Sequence, residues 1–445
     1  MKTILRALLA LMPLSIGTAC LVLCAALTLP LQANAGGPAP AEFKIMYADR
    51  TELGDGIAHY RYDVAMGPGK YDVVRIHRIV REKRPDKPVR TLDAVMLLPG
   101  NPNFFEQIFM APMVTGVGEP DHSIVVFLAA QDIDVWGMDY GWALVPAEET
   151  DFSFMGEWGL AKDIGHARQA LAFVRSMRVA SGQGNGRLHV LGFSYGAMIA
   201  YPLAGEETLL PRGLRSVKGL IALDFGVKFG VPSDREFYCA LAPLDEALLA
   251  SNPPDSYANS AGQFFGLLGY LATYSPDEES PVFPPLTNRQ AALFLGTSTE
   301  LVTGQFWHFV GGYLDEFGVP SSLRFTDDEL WLGIMGTTPP WYPVRVDVDG
   351  DHFLCGDDTP FDDHLAGITV PILHVGAKGG VSESAYASAA FTASRDVTTI
   401  TVQQLPDEAE GQDFAHADTA LARDAEQLVW WPILDWILAH RANRP

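Results

Sequence analysis

The chain has 445 residues, with 31 Lys+Arg against 54 Asp+Glu and a formal net charge of −23. Hydrophobic residues make up 48%, which is ample for a packed core and too many for a disordered chain. A chain this negative lacks the Lys/Arg surplus needed to bind nucleic-acid backbones or anionic membranes, so neither is an expected partner.

Residues 1–35 read as an export signal. Lys2 and Arg6 supply the positive start, an apolar run extends from Ala7 to Leu31, and Ala33-Asn34-Ala35 offers a small-x-small cleavage site. The run is long for a signal core, so an uncleaved N-terminal membrane anchor is the alternative; Pro13 and Pro30 argue against it. Cleavage near Ala35 removes Cys20 and Cys24 and leaves Cys239 and Cys355. In a chain bound for the periplasm or the exterior, that even pair is expected to form a disulfide. Beyond the leader, no uninterrupted apolar stretch is long enough to span a bilayer.

Gly56–Met66 and Tyr71–Val80 carry alternating apolar and β-branched residues around the turn Gly67-Pro68-Gly69, and read as strands. The basic run from Arg81 to Arg90 contains Glu82, Asp86 and two prolines, and reads as a solvated turn. It leads into a strand, Leu92–Leu98. A helix over Ser123–Gln131, a strand over Ile133–Asp139 and a long helix over Trp158–Val179 follow. Next come a strand over Leu188–Phe193, a helix over Ala197–Ala204 and a strand over Gly219–Leu223. After a long interruption the pattern resumes with Val370–Val375, a helix near Ser384–Ala390, a strand over Val397–Gln403 and a last helix from about Ala420 to His440. Short apolar strands alternating with helices specify an α/β fold with a mostly parallel sheet covered on both faces.

The interruption, residues 227–366, holds 21 Phe, Tyr and Trp. It is too long for a connection, and it reads as a mainly helical cap or lid. It also holds 21 Asp+Glu against 5 Lys+Arg, so most of the negative charge of the chain is concentrated there.

Gly192-Phe193-Ser194-Tyr195-Gly196 has the form G-x-S-x-G, directly between an apolar strand and a helical run. A serine on a sharp strand-to-helix turn needs small residues two before and two after it, because a side chain there meets the adjoining strand and helix. The turn lifts the hydroxyl above the sheet, next to a helix N-terminus.

In its element order, its Ser194 elbow and a late histidine, the chain resembles the α/β-hydrolase superfamily from about Glu42 to the C-terminus. The resemblance implies an eight-stranded sheet with the cap inserted after strand six. The hydrolase core then comprises 36–226 and 367–445, interrupted by 227–366. It also implies a base in the loop after the last strand, where Phe414-Ala415-His416-Ala417-Asp418 places His416. His166, His189 and His374 fall within helices or strands and read as structural. The acid usually follows strand seven, but Gly379 stands where it is expected. A minority of the superfamily carries the acid after strand six, where this chain has Asp224; Glu383 is the alternative. The backbone N–H groups of Tyr195 and Asn101 are the implied oxyanion donors.

Other signatures fall short, and no cofactor or metal is implied. Asp347–His352 resembles a calcium loop, but His352 stands where the sharp turn needs glycine, so a solvated acidic turn is expected. Gly182–Gly186 precedes a strand and is not a dinucleotide fingerprint. The expected activity is an exported serine hydrolase cleaving carboxylic esters of small molecules, neutral or cationic and partly apolar. The alternatives are a peptidase or thioesterase, or a non-catalytic binding protein on the same fold.

Overall fold

Nine strands line up in one sheet. They are β1 (Ile45–Gly54), β2 (Ile57–Ala65), β3 (Val73–Arg84), β4 (Asp93–Leu98), β5 (Ile133–Asp139), β6 (Leu188–Phe193), β7 (Val217–Leu223), β8 (Ile372–Ala377) and β9 (Val397–Val402), in the spatial order β1-β2-β3-β5-β4-β6-β7-β8-β9. The short Lys87–Pro88 extends the β3 edge. Strands β1, β2, β3 and β5 pair antiparallel, and the pairs from β5 onward to β9 are parallel. The computed structural model describes residues 43–298 and 307–441; the expected leader, residues 1–35 with Cys20 and Cys24, lies outside them.

Strands β4, β5, β6 and β8 are buried along their whole length because helices cover both faces. Their side chains alternate between two cores: Val95 and Leu97 of β4 face one, while Ala94, Met96 and Leu98 face the other. Four helices of the sheet layers are α1 (Ile124–Ala130), capped by the Ser123 hydroxyl, α2 (Leu160–Ala180), α3 (Tyr195–Glu207) and, at the end of the chain, Trp431–Ala439.

Between β7 and β8 the described residues contain α4 (Pro232–Ser251), α5 (Ala261–Tyr274), α6 (Asn288–Thr297), α7 (Asp328–Gly336) and α8 (Val344–Cys355). Cys239 of α4 and Cys355 of α8 form a disulfide, with Cα atoms 4.8 Å apart. The insertion packs into the same compact unit as the sheet. Among the described residues, no helix is long and apolar enough to cross a membrane.

Three departures from the sequence reading have physical causes. The sheet has a ninth strand, β1, whose residues are mostly exposed and whose register shifts twice, so no apolar alternation marks it. Ion pairs hold it instead, Arg61 to Asp49 and Arg50 to Glu82. The expected acidic turn at Asp347–His352 is helix, within α8, and Asp351 is buried. The expected last helix is broken: after the turn Asp418–Leu421 the chain extends at Ala422, and Arg423 N–H donates to Phe325 O at 3.0 Å. That bond to the insertion replaces a helical one, and helix resumes only at Glu426.

Candidate active site

Ser194 sits between β6 and α3 with φ +54° and ψ −126°, a conformation that costs a non-glycine residue roughly 1–3 kcal/mol and persists only where its surroundings enforce it. The neighbouring glycines show what enforces it. A Cβ on Gly192 would lie 2.3 Å from Ala197 N, and one on Gly196 would lie 2.1 Å from Leu98 O. Only hydrogen fits at either place, so β4, β6 and α3 converge tightly enough to push the serine outward. The loop after β4 is pressed against it, since a Cβ on Gly100 would lie 2.8 Å from Ser194 Cβ.

His416 lies in the segment between β9 and the last helices, and its Nδ1 is 2.8 Å from Asp224 Oδ2. An ionised carboxylate only accepts, so Nδ1 carries the ring proton and Nε2 keeps its lone pair. Asp224 follows β7 with φ +46°. It also accepts from Ala377 N–H at 2.8 Å and Val381 N–H at 3.3 Å, so its oxygens are fixed by backbone as well as by the imidazole. Two neighbours hold the glycines after β8: a Cβ on Gly380 would lie 2.0 Å from Asp224 Oδ2, and one on Gly379, where an acid was expected, would lie 2.5 Å from His308 Cε1. Glu383 lies apart, its carboxylate 3.2 Å from Lys378 and its side chain 69% exposed.

The His416 segment is itself organised by Asp418. Its Oδ2 accepts from Ala415 N–H (2.9 Å) and Gly311 N–H (2.8 Å), and its Oδ1 from the Thr326 hydroxyl (2.6 Å). Complete burial pushes this carboxyl up to about 7, against the lowering effect of those donors. The imidazole is walled by aromatic rings, Phe193 from the elbow and Trp307 from the insertion, at centroid distances of 4.7 and 4.8 Å.

Tyr195 is the first residue of α3, so its backbone N–H has no acceptor within the helix. Its side chain turns inward, where the hydroxyl donates to Asp163 at 2.8 Å; Trp142 Nε1 donates to the same oxygen at 3.1 Å. Burial raises the Asp163 carboxyl to about 7. Asn101, Ser194 and His416 all line one small cavity of about 40 Å³. Its remaining wall is mostly apolar, and the insertion contributes Phe265, Phe309, Trp331, Ile334 and Met335 to it. The aromatic richness of the insertion is plain in the sequence, but which of its rings line the cavity is not, because no local pattern distinguishes a ring facing a cavity from a ring in a core. His166, His189 and His374 are buried and away from this cavity.

The strand order, the strand–serine–helix elbow and the histidine after the last strand define the α/β-hydrolase fold. No family model and no curated protein matches the sequence. Solved structures of that fold do match. A candidate lipase from Sulfolobus solfataricus is 20% identical with a TM-score of 0.61, over 90% of this chain and 100% of that one. A soluble variant of the Saccharomyces cerevisiae monoglyceride lipase, in complex with a substrate analogue, is 12% identical with a TM-score of 0.44, over 92% and 100%.

Proposed function

We propose that this chain is a serine hydrolase acting on carboxylic esters. The observation that carries the reading is that His416, 2.8 Å from Asp224, lines the same cavity as Ser194, whose backbone is held in an elbow conformation. A serine hydroxyl is hardly ionised at neutral pH and needs a base to become a nucleophile. His416 Nε2 takes the proton as Ser194 Oγ attacks the ester carbonyl, and Asp224 stabilises the imidazolium that results. The N–H groups of Tyr195 and Asn101 receive the developing oxyanion. The C–O bond then breaks, His416 returns the proton to the departing alcohol, and a water activated by the same imidazole hydrolyses the acyl-enzyme.

The insertion, residues 227–366, acts as the cap in this reading, and its apolar wall suits an acyl group. A cavity of about 40 Å³ accommodates little more than water, so Phe265, Phe309 or Trp331 must shift to admit substrate. The acidity of the insertion favours neutral or cationic substrates over anions at low salt. The disulfide supports an oxidising compartment and hence export. A fluorophosphonate probe tests the core of the proposal: labelling of Ser194 in folded protein is expected. No labelling would leave the binding-protein alternative in its place. A panel of esters, thioesters and aminoacyl amides then separates esterase from thioesterase and peptidase.

A further inference from the structure

Across the neighbouring strands β2, β3 and β5, a second polar cluster lies among buried side chains and takes no part in the chemistry above. It runs as a chain from Asp139 at the end of β5, through His77 of β3 and His59 of β2, to Glu106 in the turn that follows the Asn101 loop. Asp139 Oδ2 is 3.1 Å from His77 Nε2, His77 Nδ1 is 3.0 Å from His59 Nε2, and His59 Nδ1 is 3.7 Å from Glu106 Oε1. We propose that His59, His77 and Glu106 hold one divalent cation of the zinc type.

Geometry is the first argument. One ligand atom from each of the three residues lies within 4.8 Å of the other two, and both histidines are buried. Ligand atoms around a tetrahedral zinc are separated by about 3.3 Å, given metal–ligand distances of about 2.0–2.1 Å. Opening the 3.0 Å gap by a few tenths of an ångström and drawing in Glu106 completes three protein ligands.

Charge is the second argument. Around the chain, and among the described residues, Asp49, Asp63, Glu106 and Asp139 meet two guanidiniums: Arg61 pairs with Asp49 and approaches Glu106 at 3.6 Å, and Arg75 pairs with Asp63 at 2.7 Å. Four carboxylates against two cations leave two negative charges, which a divalent ion balances and a single extra proton does not. Two nitrogens and one oxygen suit zinc better than calcium or magnesium. Asp139 supplies the carboxylate that normally holds a ligating histidine in its tautomer. No spacing motif announces the site, because its histidines come from neighbouring strands.

The ion would fasten the loop that carries Asn101. Phe105, beside Glu106, donates its N–H to Asp139 Oδ1 at 2.6 Å and stacks its ring on His77 at 4.4 Å. The test uses the purified full-length chain. Chelator-treated protein is titrated with zinc chloride, and metal content and Tm are measured for wild type, His59→Gln and Glu106→Gln. One zinc per wild-type chain and a raised Tm are expected, with at least tenfold weaker binding in both variants. If a variant fails to fold, the other variant and the wild-type titration still decide the question. Wild type that takes up no stoichiometric zinc at micromolar concentration, or variants that bind as tightly as wild type, would overturn the proposal.

Discussion

The floor and the roof of the cavity are specified by different physics. The floor is local: Gly192, Ser194 and Gly196 fall within five residues, and both glycines meet backbone atoms closer than a side chain tolerates, which holds Ser194 at positive φ between them. The roof is assembled at long range, from Phe265 of α5, Phe309, and one face of α7 carrying Trp331, Ile334 and Met335, with no spacing that links the three segments. A floor made of backbone contacts is intolerant position by position. A roof made of packed side chains is tolerant as long as volume is conserved. Substitutions in the floor should therefore act on turnover, and substitutions in the roof on stability and on which substrate is chosen.

The largest effect expected is on the floor. Asp224→Asn should lower kcat by about 10⁴-fold, because a neutral amide neither fixes the His416 tautomer nor stabilises the imidazolium. Glu383→Gln should leave kcat within about twofold, as its carboxylate meets Lys378 and solvent. Steady-state kinetics on one ester decide between them, and equal losses in both variants would show that the 2.8 Å contact does not identify the acid. The disulfide within the insertion comes next. Cys239 and Cys355 are 116 positions apart, and a closed loop of about 100 residues constrains the unfolded chain by roughly 4–5 kcal/mol on the chain-entropy model. Thermal unfolding with and without reductant should show that loss, while Ser194 labelling of the reduced protein well below its Tm should persist.

The cavity wall beside the roof predicts a subtler change. Leu421 lines both the 40 Å³ cavity and a neighbouring cavity of about 440 Å³ bounded by Pro112, His122 and Leu330. Leu421→Ala should join the two and raise kcat/KM for long relative to short acyl esters by about tenfold, the size of discrimination that a few methylenes in an apolar pocket provide. An unchanged chain-length profile would separate the second cavity from substrate binding.

The same division explains what could be read from the sequence. The elbow and the inner strands were legible because local sterics and apolar periodicity write them into consecutive residues. Asp224 and His416 were legible only by their places after strands, through resemblance to a known fold. β1 was not, because cross-strand ion pairs rather than an apolar face hold it. Asp347–His352 misled because its carboxyls are turned inward from a helix, with Asn259 Nδ2 donating to Asp347 at 2.7 Å across a gap of 88 residues. Nothing near Asp347 in the chain announces that partner.

The smallest effect lies where floor meets roof, at Asp418, which bonds both the His416 segment and Gly311 of the insertion. Its folded pKa, about 7, stands above the ordinary aspartate value of 3.8. Below about pH 4 the carboxyl is protonated in both states and contributes no pH dependence. Between about 4 and 7 the folded chain keeps a proton that the unfolded chain releases, so stability falls as pH rises, and the loss is complete above 7. Asp418→Asn keeps an oxygen for the two N–H donors and offers its amide to the Thr326 hydroxyl, so the fold should survive. The variant should match wild type near pH 4 and exceed it by about 2 °C in Tm at pH 8. A variant that is uniformly less stable at every pH would mean that the three hydrogen bonds need the carboxyl itself, and that floor and roof are joined by its geometry rather than its charge.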